Sequence, residues 1–371
     1  MKRFLSIIFC TILLASVCGC RLLPELNNSS TTSPDSSDKP PVSAGSANSF
    51  DLLPDGGNGV LNIHFVDVGQ GDCIIIEFPD GKTMIIDAGN DYTKVETKIA
   101  DFTEAIGVES FDYMLLTHAD ADHVGSMDYV FENYAVKHVF RPNVLSTHAS
   151  AESLNDGINV GFTNSAGGKE SSSKAYYNFL FGLQNEQDCT DEVFDKDSDF
   201  YGTYVNDTVE LTYKFDFLTP VLDGESAKYK NANDYSPIAL LTYNGTSILF
   251  TGDAEEEMEE EFVNYYRGNY PDCDLIKIGH HGSESSSSLA FLNAVRPEYA
   301  VIQCGVNKTY KHPRQLILDR LNSLNVKFYR TDKNGDVSVS IPSEANYKLS
   351  LSNFYCVNTD VSENMIGGDS V

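Results

Sequence analysis

Between residues 61 and 341 the apolar positions alternate between strand-like and helix-like spacing. Leu61 to Val68 and Cys73 to Phe78 read as strands joined by the turn Gly69-Gln70-Gly71-Asp72, and Thr83 to Asp87 as a third. Thr93 to Ile106 places Val95, Ile99, Phe102 and Ile106 at helical intervals and leads to the buried strand Tyr113 to Leu116. Further strands are predicted at Lys137 to Phe140, Thr208 to Leu218, Ile238 to Tyr243, Ser247 to Thr251, Asp274 to Ile278 and Tyr299 to Gln303. Ala254 to Tyr266 is a helix whose opening glutamates suit its positive end. A helix at Pro313 to Leu324 and a hairpin around Asn334-Gly335 complete the series. Strands alternating with helices predict a layered α/β domain.

Two stretches depart from this pattern. Residues 146–206 are rich in Ser, Gly, Asp and Asn around one predicted helix, Ser173 to Gln187, with Tyr177, Leu180, Phe181 and Leu183 inward. So long a stretch reads as an insertion shaping or covering a site. At the N-terminus, Lys2-Arg3 precede an apolar run, Phe4 to Val17, too short for a comfortable membrane span. Residues 1–19 are therefore expected to be a signal peptide. Val17-Cys18-Gly19-Cys20 resembles a lipobox, so Cys20 is expected to carry a lipid anchor on the outer face of the cytoplasmic membrane, with secretion the alternative. The Ser- and Pro-rich residues 20–58 read as a disordered tether, 59–356 as the folded domain and 357–371 as a tail.

The net charge of −28 argues against an extended nucleic-acid surface, which would depend on Lys and Arg. It leaves room for a small local basic site. Beyond Cys20 five cysteines are scattered with no CxxC spacing, which suggests neither a disulfide framework nor a Cys-based zinc site.

The densest chemistry is His118-Ala119-Asp120-Ala121-Asp122-His123, at a strand-to-helix junction. In an extended loop His118 and Asp120 point the same way and can share one ion. Asp122 and His123 can face a second. Two more strands end in chemistry, Leu249-Phe250-Thr251-Gly252-Asp253 and Ile278-Gly279-His280-His281-Gly282-Ser283. Together they predict a site for two divalent ions, Zn²⁺ or Mn²⁺, bridged by Asp253, with one of His280 and His281 closing the second position.

His118 to His123, the strand-end Thr251-Gly252-Asp253 and Gly279 to Ser283 are similar to the metal motifs of the metallo-β-lactamase superfamily. Val66 to Asp72 (VDVGQGD), Ile86 to Gly89 (IDAG) and Lys311-His312-Pro313 resemble its ComEC-type branch, the hydrolase domain of a DNA-uptake protein. The resemblance spans Leu61 to Ile341 and implies an αβ/βα four-layer sandwich, two mixed sheets flanked by helices, with the metal site at the sheet edge. Asp120 stands where the superfamily usually has a second His. A third His for the first ion is expected ahead of Asp253, but that region reads Asn231 to Ser236, leaving Asn233, Asp234 or water, and a weaker first site.

Such ions would generate hydroxide from water near Asp253 and neutralise charge on the reacting group. Asp122, Asp253, His280 and His312 form the expected catalytic set, His312 and the non-ligand His protonating the leaving group or binding an oxyanion. Lys277, Lys308, Lys311 and Arg314 flank the motifs and suggest phosphate recognition. The leading expectation is hydrolysis of a phosphodiester: a nucleotide, a short nucleic-acid fragment or a phosphorylated wall polymer. Amide, lactone or thioester hydrolysis, or a non-catalytic surface binding protein, are the alternatives. Asp67, Asp72 and Asp87 are expected to support the site, and His64, His138 and His148 to be structural or exposed.

Overall fold

A computed structural model describes residues 53–155, 157–159, 170–221 and 229–356. The expected signal peptide, Cys20, most of the expected tether and the expected tail lie outside the described residues.

The chain opens with β1 (Leu61–Phe65), β2 (Ile74–Glu77), β3 (Thr83–Ile86), β4 (Tyr113–Leu115), β5 (His138–Arg141) and β6 (Thr190–Val193). It continues as β7 (Asp199–Val205), β8 (Glu210–Phe217), β9 (Ala239–Tyr243), β10 (Thr246–Phe250), β11 (Leu275–Lys277), β12 (Tyr299–Ile302) and β13 (Lys327–Arg330). β14 (Val337–Ile341) and β15 (Phe354–Cys356) end it. One sheet has the order β6-β5-β4-β3-β2-β1-β14-β15 and the other β7-β8-β9-β10-β11-β12-β13. In each, antiparallel strands give way to parallel ones, from β3 to β6 in the first and from β10 to β13 in the second.

Alternation along each strand assigns its two faces. Leu61, Ile63 and Phe65 of β1 and Ile248 and Phe250 of β10 enter one core between the sheets. Aromatic rings fill it: Phe78 stacks on Tyr213 with centroids 4.5 Å apart, and Phe140 on Phe200 at 5.7 Å. The opposite faces carry helices. α1 (Thr93–Ile106), α2 (Ala121–Val124), α3 (Met127–Asn133) and α4 (Lys174–Asn185) cover the first sheet. α5 (Glu256–Tyr266), α6 (Leu289–Val295) and α7 (Gln315–Ser323) cover the second. This is the αβ/βα sandwich, and α1 has the bounds its periodicity predicts.

Three expectations change. Asn334-Gly335 is no hairpin: Thr331–Asn334 forms one helical turn, and β13 and β14 on either side belong to different sheets. The 146–206 stretch also does more than surround a site. It supplies edge strands to both sheets and buries Tyr176, Phe179, Leu180 and Leu183 of α4. That helix turns its Tyr176–Phe179 side inward and leaves Phe181 44% exposed, because α3 packs against it. β6 and β15 escape sequence reading because each is short and polar or isolated.

The four His- and Asp-bearing loops leave the C-terminal ends of parallel strands, where α/β sheets present ligand sites. Among the described residues no helix is long and apolar enough to cross a membrane.

Away from those loops, Glu259 of α5 is 3% exposed. Its carboxylate accepts the N–H groups of Ser287 and Ser288 at the start of α6. Burial raises its pKa to about 7 despite those bonds. A raised folded-state pKa means the native state binds the extra proton. Its stabilisation is complete below the unfolded value near 4.5 and disappears as pH climbs through about 7. The Tm advantage of the parent over Glu259→Gln should therefore shrink between these limits, by roughly 2–4 °C per kcal/mol. Parallel Tm curves for the two proteins would show that the carboxyl is ionised throughout.

Candidate metal centre

The centre is assembled where both sheets end. β4 runs into His118, and α2 presents Asp122 and His123. β10 delivers Asp253, and β11 delivers His280 and His281, whose φ values of 47° and 53° lie in the left-handed region. Such conformations are costly for non-glycine residues and are held by their surroundings.

His123 Nδ1 donates to Asp87 Oδ2 at 2.7 Å, leaving Nε2 unprotonated in the neutral ring. His281 Nδ1 donates to the Gln303 carbonyl at 3.0 Å, with the same effect. The two Nε2 atoms then face each other at 3.3 Å. Asp253 Oδ2 lies 3.2 Å from the first and 3.4 Å from the second, and Asp122 Oδ2 is 3.4 Å from His281 Nε2. Two lone pairs and two carboxylates converging on one point call for a cation.

His118 is the second indication. It is fully buried, its Nδ1 meets Ser236 Oγ and Thr117 Oγ1 at 3.2 Å each, and its Nε2 has no hydrogen-bond partner. Asp120 Oδ2 is 3.9 Å from that Nε2. The side chains present thus fit divalent metal: His123 and His281 gather on Asp253, Asp122 lies beside His281, and His118 faces Asp120 with its ring 4.2 Å from that of His123.

The electrostatics agree. Burial lowers the His281 pKa, but Asp253 and Asp72 outweigh it and raise it to about 10. His123 is likewise driven well up against burial by Asp253 and Asp87, and Asp253 is held well below the usual carboxylate range by His123 and His281. Burial, then the neighbouring His123, push His118 down to about 4. The carboxylates therefore demand positive charge at the ligand nitrogens, which divalent metal supplies.

Asp72, His123, Asp253 and His281 offer ligand atoms within 4.8 Å of one another. Asp72 is nonetheless better placed as a support. One oxygen is ion-paired with Lys277, and the other lies 3.3 Å from His281 Nδ1, the side of the ring away from Asp253. Asp72 is brought there by Gly71, at φ 133°, where a Cβ would lie 2.4 Å from the Asp122 carbonyl. Asp87 binds Thr117 as well as His123, and Asp67 accepts the Gly69 N–H.

Several expected residues fall elsewhere. Lys277 is fully buried and bonded to Asp72 and the Gly252 carbonyl, so it is out of reach of substrate. Lys308 and Lys311 are exposed but do not line the cavity, and Arg314 pairs with Glu284 at 2.6 Å. Asn233 contacts Glu255 and His280 Nδ1, outside the ligand cluster, and Asp234 caps α5 through the N–H groups of Glu255 and Met258. His280 donates from Nδ1 to Glu255 and holds Nε2 3.7 Å from Asp253. Its ring is 5.4 Å from that of His312. Burial beside His280 and His281 lowers His312 to about 4. His64 and His138 are structural, bonded to Glu77 and Glu192.

The cluster floors a cavity of about 760 Å³. Sequence reading overlooked Tyr92, Lys94, Asn307 and Tyr310 on its walls. The available signal was position: Tyr92 and Lys94 open the helix that follows the Ile86-Asp87-Ala88-Gly89 loop.

A buried Asp/His set at the edge of an αβ/βα sandwich defines a metal-dependent hydrolase type of fold. The Metallo-beta-lactamase superfamily model matches residues 66–174. ComE operon protein 3 of Bacillus subtilis (strain 168) is 25% identical over 290 residues, covering 74% of this chain and 32% of that protein. Competence protein ComA of Neisseria gonorrhoeae is 28% identical over 269 residues, covering 72% and 30%. The chain thus spans about a third of the length of the curated relatives it matches. Among solved structures, a CmlA beta-hydroxylase mutant aligns with a TM-score of 0.45 at 13% identity, over 76% of this chain and 54% of that one. The match over residues 66–174 and the similarity to these competence proteins support a metallo-β-lactamase-like domain of the ComEC-like branch.

Because Asp87 fixes the His123 tautomer and ring, Asp87→Ala should weaken divalent-metal binding about 10–100-fold. Competitive titration of Zn²⁺ and Mn²⁺ checks this. Undiminished affinity would reduce Asp87 to a packing role.

Proposed function

We propose that this domain hydrolyses a phosphodiester with two divalent ions, Zn²⁺ or Mn²⁺, in the cluster around Asp253. The observation that carries the reading is the cavity itself: Asp253 and His281, of an Asp/His set suited to divalent cations, at its floor and one lysine, Lys94, on its open wall. The count of ions is supported by charge. The carboxylates facing His118, His123 and His281 are Asp72, Asp87, Asp120, Asp122 and Asp253, and Lys277 offsets one of them. Four negative charges remain, the amount two divalent ions neutralise.

Metal bound there activates water and withdraws charge from a phosphoryl oxygen. The chain's own groups do the rest. Asp253 and Asp122 hold the reaction centre against the buried imidazoles. His312, neutral at physiological pH, serves a phosphoryl oxygen as a hydrogen-bond donor rather than as the acid for the leaving group. Lys94 and the start of α1, whose cap residue Tyr92 provides no side-chain bond, supply the outer positive potential. The acidic chain favours a short substrate, a nucleotide, a nucleic-acid fragment or a phosphorylated wall polymer, over long DNA. The lipobox-like Val17 to Cys20 supports a place outside the cell on a lipid tether.

Chromogenic phosphodiesters should be turned over with Zn²⁺ or Mn²⁺, and chelation should abolish turnover. Lys94→Ala should raise KM about three- to tenfold with kcat nearly unchanged, the modest range expected of an exposed cation. A diester panel without metal-dependent turnover would sink the reading.

A further inference from the structure

The loops above the metal centre hold apolar side chains open to solvent. Nine large apolar residues are exposed among the described residues, and three of them, Tyr92, Val306 and Tyr310, line the cavity over the Asp/His cluster. Their exposures are 55%, 86% and 59%. Leaving so much apolar surface in water is unfavourable, and apolar side chains gathered at a cavity mark a contact surface.

The rings are carried on fixed backbone. Tyr92 N–H donates to the Asn90 carbonyl at 2.8 Å, and its own carbonyl accepts the N–H groups of Val95 and Glu96 as α1 begins. Tyr310 N–H donates to Asn307 Oδ1 at 3.1 Å, and its carbonyl accepts Arg314 Nη1 at 3.2 Å. Gly305, where that loop starts, packs so closely on the Gly69-Gln70 turn that a Cβ would lie 2.4 Å from the Gln70 nitrogen. The Tyr310 ring is 5.9 Å from that of His312, which is 6.4 Å from that of His281. Lys94 Nζ sits 5.7 Å from the Tyr92 ring centroid. Cation, aromatic rings and metal-binding side chains thus share one cavity. The amides here serve their own loops: Asn90 Nδ2 donates to the Gln70 carbonyl, and Asn307 Oδ1 accepts the N–H groups of Thr309 and Tyr310. What this rim offers is therefore suited to a planar ring rather than to a chain of hydroxyls.

We propose that Tyr310 and Tyr92 are specificity-determining residues that stack a nucleobase, so that the substrate is a nucleotide-type diester and not a polyol-phosphate wall polymer. The proposal rests on the phosphodiester reading and narrows it. Stacking on a tyrosine face is tolerant of which base is present, because every base has a π-face. It discriminates against a substrate that has none. The acidity of the chain is no obstacle, since a substrate with one or two bases covers the rim and brings few phosphates with it.

The test compares dithymidine monophosphate with its abasic analogue, the same sugar–phosphate lacking both bases, and with bis(glycerol) phosphate as the polyol diester. All are given to the full chain loaded with Zn²⁺ or Mn²⁺. The KM of the dinucleotide should be about tenfold below that of the abasic analogue, a modest figure for one stacked base. In Tyr310→Ala the two KM values should converge, and Tyr310→Phe, which keeps the ring, should retain the difference. Both tyrosines are exposed, so their replacement leaves folding intact. Equal KM values in the parent, a difference that persists in the Tyr92→Ala Tyr310→Ala double variant, or a preference for the glycerol diester would overturn the proposal, while metal-dependent turnover would leave the phosphodiester reading standing. No turnover of any diester, the chromogenic ones included, would remove both.

Discussion

Everything at this centre follows from the 3.3 Å approach of two imidazole nitrogens, His123 Nε2 and His281 Nε2, in a buried space shared with Asp253. Two unprotonated nitrogens at that separation repel unless a cation lies between them. Burial magnifies the effect, since Asp72, Asp87 and Asp253 are shielded from bulk solvent. The fold meets this constraint by drawing its ligands from both sheets: His123 comes from the helix after β4 and His281 from the loop after β11. Neither sheet alone contains the site, so the packing of Phe65, Phe78 and Phe140 against Phe200, Phe215 and Phe250 also sets the ligand spacing.

Around the ligands runs a shell that fixes which nitrogen is bare. Asp87 and the Gln303 carbonyl each occupy an Nδ1. Gln303 is itself held by its amide, which donates to the carbonyls of Val66 and Cys73 in the first sheet. The Asp72–Lys277 pair ties the turn after β1 to β11. A buried ion pair of this kind contributes little net stability because both charges lose water. Its effect is positional: it places one carboxylate behind His281 and one ammonium 3.7 Å from Asp253 Oδ1, leaving Oδ2 turned toward the imidazoles.

Much of this was legible in the sequence, for physical reasons. Strand alternation and the 3.6-residue period of α1 are local, so Leu61 to Phe65 and Thr93 to Ile106 could be read directly. The loops of His118 to His123, Asp253 and His280-His281 stood out because metal ligands at strand ends are dense. What one chain does not print is pairing across space. Lys277 sits beside the site motif and looked available for substrate, yet its partner Asp72 is distant in sequence and turns it inward. The same applies to β13 and β14, adjacent in sequence but divided between sheets. The choice between His280 and His281 also rested on nonlocal partners, Glu255 for one and Gln303 for the other.

The charge of the chain and the charge of its cavity pull in opposite directions. At −28, the molecule repels polyanions at long range, but at physiological ionic strength that field decays over about 8 Å. Within such a distance an anion meets Lys94, the start of α1 and whatever cations the Asp/His cluster holds. A short anion can lie wholly inside this local field. A long polyanion must lay its remaining charges along the acidic surface, and each added phosphate costs more. On the proposed phosphodiester reading, discrimination by length would therefore lie in the whole surface, and the metal centre would be indifferent to what lies beyond the bond it addresses.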